Sequence, residues 1–258
     1  MVLADLTAGA VADAERRSLT RPLAEVERAA LARPAAKDAL SFLAPADRVK
    51  IIAEVKRASP SRGALAEIPD PAHQAALYEI GGASAISVLT EGRRFGGSLA
   101  DLEAVTTRVS LPVLRKDFIA TRYQVLEARA AGADLVLLIV AGLDREVLAD
   151  LHGFILELGM TPLVETHSAD EIETAADLGA ALIGVNARDL KTLELDRDLF
   201  GRLVEHIPDS AIKIAESAVL TPADVVHYRS GGADVVLVGE ALVTGDPVST
   251  LKSFLEAS

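Results

Sequence analysis

The sequence predicts an α/β protein, a closed (β/α)8 (TIM) barrel with an N-terminal helical extension. Three observations point there. Eight short β-branched or aliphatic runs begin at Ile51, amphipathic helical segments separate them, and four helices leave through the same Gly-Ala pair. The runs are IIAEVK (51–56), AISVLT (85–90), PVLRKDF (112–118), DLVLLIV (134–140), PLVETH (162–167), LIGVNARD (182–189), AIKIAES (211–217) and VVLVGEAL (235–242).

Between them, segments such as TRYQVLEARAAGA and SADEIETAADLGA carry helical spacing. Gly82, Gly132, Gly179 and Gly232 each precede an alanine and then a strand, which suits a left-handed residue closing a helix. Strands alternating with helices make parallel βαβ units, and eight of them in about 200 residues fit a closed barrel. A doubly wound open sheet is the alternative arrangement of the same units. Residues 1–45, rich in Ala, Leu, Glu and Arg, read as the helical extension. Thr20-Arg21-Pro22 reads as a cap with proline at the first helical position. No low-complexity stretch or linker divides the chain, so extension and barrel (46–258) are expected to form a single domain, 1–258.

Composition narrows the function. Half of the 258 residues are apolar, enough for a large core. The net charge of -12 and 3% aromatic content argue against nucleic acid as the partner. A global negative charge does not bar an anionic small molecule, because local amides and a few cations can hold it. The chain has no cysteine, which removes disulfides and thiolate metal sites and fits a reducing cytoplasm. The N-terminus lacks the basic start and apolar run of a signal peptide. Runs such as LVLLIVAGL are too short to span a bilayer. The expectation is a cytoplasmic, monomeric chain acting on a small molecule, with no membrane partner.

Side chains on barrel strands alternate between the interior and the helix layer, and the C-terminal strand ends face the active site. Reading each strand end in phase places Glu54 and Lys56 on the first strand. Lys116 is in phase with Leu114 and Phe118, Glu165 with Leu163, Asn186 with Gly184, and Glu216 with Ile212 and Ile214. A single charge at a strand end is usually a solvated rim residue, and a Glu–Lys pair alone can be a mere buried ion pair. Six such groups on five strands are another matter. Each costs several kcal/mol to bury unless paired, so together they read as chemistry.

The last two strands run into ESAV (216–219) and GEALVTGDP (239–247), where such barrels bind phosphate. Ser217, Ala218, Gly239 and Glu240 stand there, Glu240 offering its amide with its carboxylate turned away. Phe95 and Phe118 can flank an aromatic ligand or belong to the core. FGGS (95–98) reads as a turn into a helix. His167 ends a strand. No second histidine or aspartate stands at metal-site spacing, so His167 is given a structural role and no metal site is expected. His73, His152, His206 and His227 fall in helical segments and are expected at the surface.

Taken together, AEVKRASPSRG, FGGSLADL, LRKDFI, LVETH, IGVNARDL, AESAV and LVGEALV resemble the indole-3-glycerol-phosphate synthase family, in order, from about residue 40 to 250. The first motif and RKDF are specific to that family, whereas LVGEAL fits many phosphate-binding barrels. The resemblance implies a (β/α)8 barrel with an N-terminal helical extension. It implies a lyase of tryptophan biosynthesis that closes the pyrrole ring of 1-(2-carboxyphenylamino)-1-deoxyribulose 5-phosphate, losing carbon dioxide and water without metal or organic cofactor. It gives Lys116 the role of ring-closing acid; an ammonium is a feeble acid at neutral pH unless burial or neighbouring cations lower its pKa, and Lys56 can supply part of that while the glutamates oppose it. Glu165, Lys56 and Glu54 share the dehydration steps, and Asn186 orients the substrate or Glu165. Arg188 and Glu216 complete the polar ring, and Ser59 touches substrate from a loop, 59–63, able to close. Phe95 and Phe118 sandwich the anthranilate ring, while Ser217, Ala218, Gly239 and Glu240 hold the phosphate.

Two departures stand out: Ala218 where many relatives have glycine, and Ala187 where many have a second asparagine. Other ribulose-phosphate barrels, isomerases or epimerases, and a catalytically silent phosphate-binding barrel are the competing readings.

Overall fold

In the computed structural model, which describes residues 2–190 and 192–257, eight parallel strands close into a barrel. They are β1 (Lys50–Val55), β2 (Ala85–Leu89), β3 (Val113–Lys116), β4 (Leu135–Ile139), β5 (Thr161–Thr166), β6 (Leu182–Asn186), β7 (Ile212–Glu216) and β8 (Val235–Val238). Each pairs with its sequence neighbour, and β8 returns to β1 through Ile51↔Val236 and Ala53↔Val238. The ring is closed, which removes the open-sheet alternative.

The alternation expected from the sequence is present. Ile52, Leu114, Leu163, Leu182, Ile214 and Leu237 fill the interior, while Ile51, Ala53, Val136, Val164 and Val236 pack outward against the helices. The four Gly-Ala exits hold left-handed glycines, with φ of +96° at Gly82, +90° at Gly132, +70° at Gly179 and +95° at Gly232. Glycine adopts this conformation without the Cβ clash that other residues meet.

The extension is three helices: α1 (Val2–Thr20), α2 (Leu23–Leu31) and α3 (Ala39–Leu43). Pro22 is not the first helical residue, as the sequence suggested. Its ψ of 151° is extended, so it caps α2 from outside. Leu3, Leu6 and Ala10 of α1 join Phe118 and Ile139 above the barrel interior. Ala39 and Leu43 join the same interior from the other end, where the Lys37 amide donates to Asp134, just ahead of β4, at 2.8 Å. The extension therefore covers both mouths.

A buried polar chain fastens α1 to the wall. Arg17 pairs with Glu127 at 2.5 Å, Glu127 lies 3.6 Å from Arg115, and Arg115 pairs with Asp117 at 2.9 Å. Glu127 belongs to α6 (Arg122–Ala130) and Arg115 to β3.

His73 and His206 are exposed and His227 is half-buried. His152 departs from expectation. It lies on the inner face of α7 (Arg145–Glu157), is only 5% exposed, and burial lowers its pKa.

The turn through FGGS is as expected, with the Ser98 hydroxyl accepting the Asp101 amide to cap α5 (Leu99–Arg108). Glu91 accepts the amides of Arg93, Arg94 and Phe95, which shapes the loop before it. A Cβ at Gly97 would fall 2.0 Å from the Leu89 carbonyl oxygen and 3.0 Å from Thr90 Cα, both backbone. Gly97→Ala is expected to lower the unfolding free energy by about 1–3 kcal/mol, the usual range for overpacking. Denaturant unfolding measures this, and an unchanged midpoint would contradict it.

Candidate active site

The charged groups at the mouth form one layer. In such barrels each interior layer takes its side chains from alternate strands. Glu54 comes from β1, Lys116 from β3, Glu165 from β5 and Glu216 from β7, with Lys56 just beyond β1. The even strands face them with Asn186 on β6 and Gly239 just past β8. All four carboxylate and lysine side chains on the odd strands are at least largely buried, Glu54, Glu165 and Glu216 almost completely.

Lys116 Nζ lies 3.0 Å from Glu165 Oε2 and 3.1 Å from Glu216 Oε2. Lys56 Nζ lies 2.7 Å from Glu54 Oε1. Asn186 donates from Nδ2 to Glu165 Oε1 at 3.1 Å. Its own orientation is fixed, because Oδ1 accepts the Ser217 hydroxyl at 2.8 Å and the Arg188 amide at 3.0 Å.

Two glycines make room for these charges. A Cβ at Gly184 would sit 2.2 Å from Glu216 Oε1, and one at Gly239 would sit 2.6 Å from Glu54 Oε1 and 2.9 Å from Lys56 Nζ.

The two carboxylates on Lys116 are driven apart. Burial opposes the charge on Glu165, but the Lys116 ammonium, His167 and the Asn186 amide outweigh it and hold this carboxyl well below its ordinary value. Burial raises Glu216, and the negative Glu165 beside it outweighs part of the Lys116 attraction, so this carboxyl is pushed up to about 8. Two carboxylates sharing one ammonium resist double ionisation.

At Lys116 the opposition of the glutamates wins. Burial pulls its pKa down, but Glu165, Glu216 and Glu54 push harder, and the net shift is upward. The cation proposed to lower it, Lys56, is engaged with Glu54 instead.

All fourteen residues singled out in the sequence line one cavity of about 390 Å³, a size suited to a small ligand. Ser59 lies in a small hairpin pairing Ala58–Ser59 with Gly63–Ala64. The hairpin's Arg62 reaches Glu240 at 2.5 Å, which turns that carboxylate toward the hairpin.

Phe95 and Phe118 both line the cavity, but their centroids are 6.2 Å apart at 43°. A ring between them would need about 7 Å, twice the roughly 3.5 Å contact distance. They form one wall rather than the two sides of a sandwich.

Ser217 and Ala218 are both left-handed, with φ of +69° and +56°, so alanine adopts the conformation that glycine favours. Ala187 is buried outside the cavity lining.

Sequence reasoning missed two groups here. Arg62 lay inside the KRASPSRG motif, but its partner stands 178 residues away. Leu6 lines the cavity from α1, and no local pattern announces that contact.

A buried lysine between two carboxylates, facing a left-handed loop at the C-terminal mouth of a closed (β/α)8 barrel, defines a barrel enzyme with its site at the strand ends. The chain matches the family model described as indole-3-glycerol phosphate synthase over residues 3–254. It is 70% identical over 253 residues to the indole-3-glycerol phosphate synthase of Leifsonia xyli subsp. xyli, covering 98% of this chain and 97% of that protein. It is 57% identical over 257 residues to indole-3-glycerol phosphate synthase 1 of Streptomyces coelicolor, covering 100% and 95%. The chain belongs to the indole-3-glycerol phosphate synthase family. Among solved structures, the N-acetylmannosamine-6-phosphate 2-epimerase of Clostridium perfringens aligns with a TM-score of 0.62 at 16% identity, over 84% of this chain and 96% of that one. That likeness concerns the fold alone. No helix among the described residues is long and apolar enough to cross a membrane.

Two measurements follow from the site's electrostatics and strain. Folding raises the Glu216 carboxyl from 4.5 to about 8, so the folded state keeps a proton that the unfolded chain gives up. That raised carboxyl makes stability fall as pH climbs through this window. Glu216→Gln, an isostere of the protonated acid, is expected to melt above the wild type at about pH 8, with the gap closing toward pH 4.5. Thermal melts across the window check this, and a gap that does not change with pH would contradict it. Ala218→Gly is expected to gain about 1 kcal/mol by relieving a left-handed alanine. A chemical denaturation curve no more stable than the wild type would contradict that.

Proposed function

We propose that this chain closes the pyrrole ring of 1-(2-carboxyphenylamino)-1-deoxyribulose 5-phosphate to give indole-3-glycerol phosphate, carbon dioxide and water. The observation that carries the reading is the Lys116 ammonium, held by Glu165 and Glu216 at the floor of the cavity. Family membership and identities of 55% and above to proteins bearing that name support it.

Ring closure needs an acid at the ribulose carbonyl, so that the oxygen gains a proton as the aromatic carbon attacks. Lys116 fills that role. Its raised pKa makes it a reluctant donor in the free protein, so the carbonyl oxygen must gather charge before the proton moves. Carbon dioxide then leaves and its bonding electrons return to the ring system. Dehydration requires an acid at the departing hydroxyl and a base at the neighbouring C–H. Glu165, held ionised and aimed by Asn186, suits the base. Lys56, aimed by Glu54, suits the second acid or the contact to the substrate carboxylate.

The phosphate sits at the amides of Ser217, Ala218, Gly239 and Glu240, beside the left-handed pair at 217 and 218. Arg188 and Ser59 contact the substrate between these ends, and the aromatic ring packs on the wall made by Phe95 and Phe118.

The test is turnover of that substrate, followed by indole absorbance and fluorescence. Lys116→Ala is expected to lose roughly a hundredfold or more of kcat, the scale of a general acid. Glu54→Gln and Lys56→Ala are each expected to cut turnover with folding intact. A folded wild-type protein that binds the substrate and makes no indole product would overturn the reading.

A further inference from the structure

The net reaction consumes a proton. The substrate enters with an ionised benzoate, and its carboxylate leaves as neutral carbon dioxide with the bonding electron pair left behind. That pair finally departs on the expelled oxygen, which becomes water by gaining two protons. One of these is matched by the C–H proton that the base removes. The other comes from solvent, once per turnover, yet Glu165 is buried and Lys116 is only 14% exposed, at the floor of the cavity that the substrate occupies.

His167 stands between this pair and the outside. It follows β5, its side chain is 14% exposed, and it is absent from the cavity lining. Its Nδ1 lies 3.3 Å from Glu171 Oε2, and the same oxygen accepts the His167 backbone amide at 2.7 Å. Glu171 lies in the first turn of α8 (Ala169–Asp177) and its side chain is 22% exposed. On the other side, His167 Nε2 is buried, makes no hydrogen bond among the described residues, and lies 3.6 Å from Glu165 Oε1. Glu165 Oε2 in turn holds Lys116.

With Lys56 as the contact to the substrate carboxylate, Lys116 gives up both protons; Glu165 returns the C–H proton to it, and the geometry points to a path from solvent through Glu171, His167 and Glu165 that supplies the other in each turnover. Imidazole suits the task because it can accept a proton on one nitrogen and release one from the other. The 3.6 Å gap exceeds a hydrogen bond, so transfer requires Glu165 to close toward the ring. The charged groups facing the ring are Glu171 from α8, Glu165 from β5 and Glu216 from β7, with Lys116 beyond. Burial works against the imidazolium, but these carboxylates raise its pKa above the ordinary value. His167 is thus a positioning residue acting through Glu165. Its role goes beyond the structural one read from the sequence, and it rests on the proposed synthase reaction.

The experiment compares wild type, His167→Ala, Glu171→Gln and Lys116→Ala in multiple-turnover indole formation with weak, dilute buffer, then with added imidazole. His167→Ala is expected to lose roughly a hundredfold of kcat, with little change in KM, and to regain most of it as imidazole rises. Glu171→Gln, which keeps the helix cap, is expected to slow turnover less and to respond likewise. The kcat–pH profile of His167→Ala should lose the limb that imidazole titration gives the wild type, and that of Glu171→Gln should keep it, moved to lower pH by loss of the carboxylate that raises the imidazole. Wild-type kcat in folded His167→Ala, or a deficit in both variants that imidazole does not relieve, would overturn the path while a dead Lys116→Ala leaves the synthase reading standing. A wild type that makes no product would overturn both.

Discussion

One buried cation held by two carboxylates governs the design of this molecule. Moving a lysine and a pair of glutamates out of water costs several kcal/mol per ion, and only close, fixed contacts offset it. Lys116 has such contacts, at 3.0 and 3.1 Å, because β3, β5 and β7 hold their alternate residues at one height. The ring of strands cannot shift without parting them. The missing side chains at Gly184 and Gly239 belong to the same constraint, since a methyl group at either place would occupy the space of a carboxylate. The upward shift of Glu216 follows from the same constraint: burial and the neighbouring Glu165 charge favour its protonated form.

The RKDF stretch shows how one strand end serves two layers. Lys116 turns inward to the cavity. Arg115 and Asp117 turn outward, where Arg115 is buried and meets Thr90, Gln124, Asp117 and Glu127. Through Glu127 this outer network reaches Arg17 on α1, whose Leu6 roofs the cavity. The segment that positions the acid also anchors the helix above it.

The barrel was legible because its signals are local. Eight apolar runs and four repeated glycines at helix exits are each readable within a dozen residues, and period-two phase was enough to pick Glu54, Lys116, Glu165, Asn186 and Glu216. What escaped depends on distance or on competing charges. The upward shift of Lys116 depends on which partner each lysine selects, and the sequence places Lys56 near without showing that Glu54 claims it. The spacing of Phe95 and Phe118 depends on a loop folded around Glu91. His152 looked like a surface residue because a helix turn shows its period and not which neighbour covers it. Pro22 missed by one position, a common outcome where extended and helical geometry both suit proline.

The charged layer also has a history within each folding event. Lys116 is separated from Glu165 by 49 residues and from Glu216 by 100. A partly formed barrel ending at β5 would leave Lys116 with one of its carboxylates, and one ending at β3 would leave it with neither. The burial of this charged trio therefore gains its full set of contacts only as the last strands arrive. Loop closure over such separations is costly before its contacts repay it. A chain built this way defers this desolvation until the surrounding walls are complete, so that half a barrel gains little from docking its own charged rim.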